Sequence, residues 1–156
     1  AADPLYTASY AGVNAGLVIA VADDPGMHSS QNEQDSRHHA IASKIPMIEP
    51  SDSQEAIDFM KIAFDMSEKF DTPVLFRMCT RISHSQSIVQ LSLRQNHPQK
   101  KYEKNIQKNV MTPANAIRKH KKKEKNTLSN ILYVCLMVPH QFAFQDCPEM
   151  ALLLGK

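Results

Sequence analysis

At 156 residues, with 42% hydrophobic residues and no tryptophan, the chain has material for one modest core. It holds no run of about 18 or more apolar residues, which excludes a sequence-evident membrane helix. Its three cysteines, Cys79, Cys135 and Cys147, lack any CxxC spacing, so no disulfide framework, zinc knuckle or iron–sulfur motif is expected, and a reducing cytoplasmic setting is.

The net charge of +2 conceals two different materials. Residues 1–93 carry six Lys/Arg against twelve Asp/Glu, and residues 94–125 carry eleven against two. The expected division is an acidic α/β body (1–93), a basic linker or helix (94–125) and a tail of undefined structure (126–156).

The chain opens with a helix-compatible stretch in which Asp3 caps and Pro4 takes the first helical position. Gly12 and Gly16 allow that helix to end or to pack closely, and their spacing is not a GxGxxG fingerprint. Leu17 to Ala22 is a continuous apolar run closed by Asp23-Asp24-Pro25-Gly26, and it reads as a strand buried on both faces. Arg37 to Lys44 is a short helix and Ile45 to Ile48 a short strand. Ser51 with Gln54 has the form of a capping box. It opens a helix whose buried face is Ala56, Ile57, Met60, Ala63, Phe64 and Ser67. Val74 to Met78 is the next strand, followed by a loop from Cys79 to Ser85. Beyond Arg94 the periodicity collapses. ANAIRKHKKKEKN makes a short basic helix, and Ile131 to Val138 a strand or short buried helix.

This alternation predicts an α/β fold: a partial, doubly wound, mostly parallel sheet with helices on both faces. Three strands are few for such a sheet. A missing neighbour would leave an open edge, so self-association is expected. Together with an opening that lacks Met, this suggests a fragment of something longer.

Open α/β sheets bind ligands beyond the carboxyl ends of their strands. The polar stretch Asp23 to Arg37 follows the first strand, so it is the leading candidate site, against the alternative of an ordinary solvated loop. Its nearest groups would be His28, Ser29, Ser30, Gln31, Asn32 and Glu33. Arg37 would grip a ligand carboxylate or pair with Asp35 or Asp24. Arg81, Ser83 and His84, after the last strand, form a second set. His28, His38, His39, Glu33 and Asp35 fit no compact ligand template, and no metal site is expected. The Cys79/His84 pair is a weak nucleophile candidate. The run KHKKKEK (119–125) has no interleaved aromatics and reads as a solvated helix, so nucleic-acid binding is not expected. A rival reading keeps it: a non-catalytic α/β interaction protein whose segment 94–125 binds a partner or nucleic acid.

The strings ADDPGMHSSQNEQDSR, KIPMIEPSDSQEA and FDTPVLFRMCTRISHS are more specific than any of these features. With AADPLYTASYAGVNAGLVIAVADDPG and MTPANAIRKH, they resemble the alpha subunits of indolepyruvate:ferredoxin oxidoreductases. These are thiamine-diphosphate-dependent 2-oxoacid:ferredoxin oxidoreductases. The resemblance covers roughly residues 1 to 123 and fails beyond Lys125. It implies an internal fragment of the domain that holds the aminopyrimidine ring. The implied activity is oxidative decarboxylation of an arylpyruvate to its acyl-CoA. The complete enzyme would use thiamine diphosphate with magnesium and iron–sulfur clusters, none expected to bind this chain alone. Its partners would be the remainder of the alpha subunit, a beta subunit, ferredoxin, coenzyme A and substrate. The catalytic residues are unknown, because the activating glutamate would lie upstream, and the isolated chain is expected to be inactive.

Overall fold

A computed structural model of the chain describes residues 2–94, 96 and 98–137, the last eleven of these by their backbone alone. Three strands, β1 (Val18–Asp23), β2 (Met47–Ile48) and β3 (Val74–Cys79), form one sheet in the order β1-β3-β2. Both pairings are parallel, with Val18 opposite Val74, Asp23 opposite Cys79, and Ile48 opposite Phe76. The helices are α1 (Ala2–Ala11), α2 (Arg37–Ser43), α3 (Ser53–Phe70), α4 (Thr80–His84), α5 (Ile106–Asn109) and α6 (Pro113–Met137). The expected parallel α/β architecture is what the chain adopts.

Successive residues of a strand face opposite sides, and β3 feeds two cores in this way. Val74 and Phe76 pack with Ile48 and with Phe59, Ala63 and Met66 of α3. Leu75 packs on the other face with Ala40, Ile45 and Leu5, under α1 and α2. Helices therefore cover both faces, as a doubly wound sheet requires.

The strand buried on both faces is β3, not β1. Val74 to Arg77 are all buried, whereas β1 is half-buried, with Ala20 exposed and Leu17 at 40% exposure. The correction has a topological cause: the chain crosses from β1 to β2 and then returns to place β3 between them. Order in the sheet, not apolar continuity, decides which strand is central.

The α3 stripe is also rotated from the expected one. Phe59 and Met66 are buried with Ala63 and Ser67, while Phe64 lies 46% exposed and packs beside Gly16. Ala56 and Met60, as expected, also pack against this core; the apolar residues occupy a continuous arc of more than half the helix, opposite Asp58, Lys61, Asp65 and Glu68, so its spacing admits a stripe on either side of that arc. The N-cap moves by one residue. Asp52, in extended conformation, accepts the Glu55 N–H at 2.8 Å, and Glu55 reaches back to the Ser51 N–H at 2.7 Å. The start is built on Asp52 as cap and Glu55, whose carboxylate accepts from the N–H and hydroxyl of Ser51, one residue before the cap, a variant of the capping box.

The expected strand at 45–48 shortens to two residues after Pro46, and the loop after β3 forms the short helix α4. Gly12 ends α1 with φ of +81°, its N–H returning to the Ala8 carbonyl at 2.9 Å. A side chain there would also collide with Asp71. The basic helix extends well past Lys125, and residues 131–137 continue it rather than making a strand. The remainder of the expected tail, from 138 on, lies outside the described residues.

Candidate functional site

Because all three strands run parallel, their carboxyl ends share one edge of the sheet. Three connections emerge there: the polar stretch 24–36, the turn 49–52, and α4. Two consecutive carboxylates organise this edge. Asp23 ends β1 and shares its face with Ile19 and Val21, toward α2. Its Oδ2 accepts the Ser36 N–H at 2.7 Å and Arg77 Nε at 2.6 Å, and its Oδ1 accepts the Ser36 hydroxyl at 2.7 Å. Asp24 turns the other way. Its Oδ2 accepts the N–H groups of Ser29 (2.7 Å) and Ser30 (3.1 Å), and its Oδ1 accepts the Thr80 hydroxyl at 2.8 Å.

One carboxylate therefore ties down the start of the loop and the other its end. Hydrogen bonds from the Ser29 backbone, with Thr80, hold the Asp24 carboxyl well below the usual carboxylate range. Burial pushes Asp23 upward, but the Ser36 and Arg77 bonds outweigh it, and Asp23 too lies below its ordinary value.

Arg77 sits in the middle of the sheet and is 1% exposed. Its Nη1 meets Glu49 Oε1 at 2.5 Å, and its Nε lies 3.7 Å from Asp35. Burial opposes its charge, and the Asp23 bond with the Glu49, Asp23 and Asp35 charges overcomes this, raising its pKa. Nη2 is buried with no hydrogen-bond partner among the described residues.

Arg37, at the start of α2, pairs with Asp35 at 3.7 Å and Glu49 at 3.5 Å. The expected partner Asp35 is thus found. Asp24 accepts instead from Ser29, Ser30 and Thr80.

The remaining expected residues stand on the rim. His28, Ser29, Gln31, Asn32 and Glu33 are exposed and Ser30 is half-buried. The turn that lifts them begins at Asp24, whose carbonyl accepts the Met27 N–H at 3.2 Å, with Met27 at φ of 53°. The His28 ring folds back over Gly26, so closely that a Cβ there would collide with it. Arg81, Ser83 and His84 are exposed on α4.

On the α3 face of the same edge lies an open apolar depression lined by Ala22, Ala56, Ile57, Met78, Ile82 and Val89, with Ser83 at its margin. The carboxyl edge is thus charged and hydrogen-bonding on one side and apolar on the other. Among the described residues, no three His, Cys, Asp or Glu side chains converge as metal ligands would.

Arg77, Glu49 and Thr80 were not among the expected site residues. The available signal was the arginine inside VLFRMC. A charge in a strand buried on both faces must find a partner, and Asp23 is the acid that closes the neighbouring strand.

A parallel α/β protein whose strand ends present a fixed polar loop beside an apolar depression belongs to the class that builds ligand sites at that edge. The comparisons with known proteins narrow this. The chain is 46% identical to the indolepyruvate oxidoreductase subunit IorA of Archaeoglobus fulgidus over 121 residues, covering 74% of this chain and 19% of that subunit. It is 44% identical to the same subunit of Methanothermobacter thermautotrophicus over 123 residues, 78% of this chain and 20% of the subunit. To that of Pyrococcus horikoshii it is 52% identical over 91 residues, 58% and 14% respectively. By sequence the chain belongs to the family of IorA subunits. It spans about a fifth of the length of the first two of these relatives. No protein-family model and no solved structure matches it.

Proposed function

We propose that this chain is one wall of the active-site cleft of an indolepyruvate oxidoreductase, within an enzyme that converts an arylpyruvate to its acyl-CoA. The observation that carries the reading is the 44–46% identity to IorA subunits over most of the chain. The edge geometry supports it in part: the apolar depression suits the flat ring of an arylpyruvate, and Arg37 is the exposed cation available to its anionic end on a side otherwise rich in carboxylates. In this reading the loop groups His28, Ser29, Ser30, Gln31, Asn32 and Glu33 meet the polar end of substrate or cofactor. Arg37 supplies a cation beside them, and Ala22, Ile57, Met78 and Val89 take up the ring. Residues 1–93 are the sheet domain and 94–125 its basic extension.

The described residues do not fit magnesium or an iron–sulfur cluster. Asp23, Asp24 and Glu49 are engaged by guanidinium, hydroxyl or backbone donors, and no ligand cluster is left over among the described residues. Thiamine diphosphate, its magnesium and the electron-transfer clusters are assigned to the remainder of the alpha subunit and to a beta subunit, with ferredoxin as acceptor and the cytoplasm as location.

The test is a chimera in which residues 1–123 replace the matching stretch of the A. fulgidus subunit, assembled with its partner subunit. Turnover of indolepyruvate with coenzyme A and a viologen acceptor is expected. An assembled chimera that binds its partner and shows no turnover overturns the reading. The 156-residue chain alone is expected to give none.

A further inference from the structure

Among the described residues, one side-chain hydrogen bond joins α4 to the polar loop. Thr80, the first residue of α4, has its hydroxyl 2.8 Å from Asp24 Oδ1 and 3.3 Å from the Asp23 carbonyl. A hydroxyl has one proton to donate, and the nearer, ionised acceptor takes it. Asp24 is buried, and its other oxygen accepts the Ser29 and Ser30 N–H groups, which help to keep it ionised. Little else fixes α4. It buries none of its five residues, and Cys79 at its N-cap makes no side-chain cap. Beyond its far end, the Ser85 hydroxyl lies 3.4 Å from that of Ser53. Yet α4 carries Ile82 and Ser83, one wall of the apolar depression, whose lining also includes Ala22 and Met78 at the strand ends and Ala56 and Ile57 of α3.

We propose that Thr80 is a positioning residue of the cleft: through Asp24 it holds α4 against the polar loop, and so sets how closely the Ile82 wall meets an aryl ring in the depression. The inference rests on the cleft reading above, in which the ring lies in the depression and the oxo-acid end at the loop. A substrate that bridges both halves needs them at a fixed separation, and Asp24 supplies one reference for both, orienting the Ser29 and Ser30 backbone with one oxygen and α4 with the other. Grip on a flat ring is sensitive to small displacements of a wall. A gap of about 0.5–1 Å already forfeits roughly a quarter to a half of the attraction between facing atoms. Thr80 itself acts through Asp24 and Ile82, not by contact with the reacting atoms.

The test uses the chimeric A. fulgidus enzyme carrying residues 1–123, assembled with its partner subunit, and steady-state rates over a range of indolepyruvate concentrations. Thr80→Val, which keeps the shape and removes the hydroxyl, is expected to raise KM about tenfold with kcat held within about two-fold. Thr80→Ser, which keeps the hydroxyl, is expected to restore KM. A merely structural defect would lower the amount of working enzyme, and so kcat, with KM unmoved. Ile82→Ala pares the wall and leaves the Thr80 bond in place. It is expected to raise KM likewise, and it decides the matter if Thr80→Val does not assemble. A working chimera whose KM is unchanged in these variants, or is raised as much in Thr80→Ser as in Thr80→Val, overturns this proposal alone. An unsubstituted chimera without turnover overturns the cleft reading and the proposal with it.

Discussion

At the scale of single residues, the edge depends on a buried ion pair. Asp23 and Arg77 are 5% and 1% exposed, 2.6 Å apart. Removing Arg77 leaves Asp23 buried without its counter-charge, which typically costs about 3–5 kcal/mol, whereas removing Asp23 leaves Arg77 with Glu49 and Asp35 beside it and costs less. Arg77→Met is therefore expected to lower the urea midpoint sharply, Asp23→Ala less, and Asp23→Asn, which keeps the shape and some of the bonds, least. Both Asp23 and Asp24 have folded pKa values below their unfolded ones. Their stabilisation is complete above the unfolded value of about 3.9 and is lost as pH falls through the folded values. Urea titrations from pH 7 to pH 2 should show the loss setting in below about pH 4 and still growing at the acid end, and Asp23→Asn should blunt it. Lys123 acts in the opposite direction. Burial lowers its pKa to about 8 from 10.5. Between these values the unfolded chain keeps a proton that the folded chain has released, so stability rises with pH over that window by up to about 3 kcal/mol, and is flat below it. The difference between wild type and Lys123→Met across pH 7 to 10.5 measures this contribution, with other lysines and tyrosines common to both.

At the scale of elements, reading from sequence worked where the local signal was self-sufficient. The polar break after Ala22 placed the end of β1, and Pro73 placed the start of β3 within one residue. The start of α3 was legible too, but Ser51, Asp52 and Ser53 are all plausible caps, and only the backbone conformation at Asp52 selects among them. Asp52→Ala is expected to cost about 1 kcal/mol in urea denaturation, and Ser51→Ala less, since the Ser51 backbone N–H also reaches Glu55. The rotation of the α3 stripe and the exposure of β1 were not legible, because both follow from which neighbour a face meets. A helix whose apolar arc exceeds half its circumference has no single inward line until the sheet order is known.

At the scale of the whole molecule, the family was legible in three unbroken strings, whereas the anchoring of the site was not. Those strings drew notice to the exposed rim from His28 to Glu33 and away from the buried groups that shape it. Arg77 looked like one more strand residue. Its importance comes from a partner 54 positions away in sequence, which no local pattern announces. The rim and its foundation separate experimentally. In the assembled chimera, His28→Ala should change stability by no more than about 0.5 kcal/mol, as exposed positions usually do, while lowering turnover. Arg77→Met should lose both together. A His28 variant with full turnover would remove that residue from the proposed cleft.

The paired anchoring by Asp23 and Asp24 has one further consequence, best put in polymer terms. The chain between Asp23 and Ser36 is a 13-residue ring closed by side-chain bonds rather than by strand pairing. For a flexible ring, closure entropy grows only logarithmically with contour length, about 0.6 kcal/mol for each doubling. A dozen residues spliced between Asn32 and Glu33, both solvent-facing, should therefore lower the sheet's unfolding temperature by only a few degrees. The clasp would behave as a docking port for a tag or a reporter, mounted directly above the carboxyl ends of the strands.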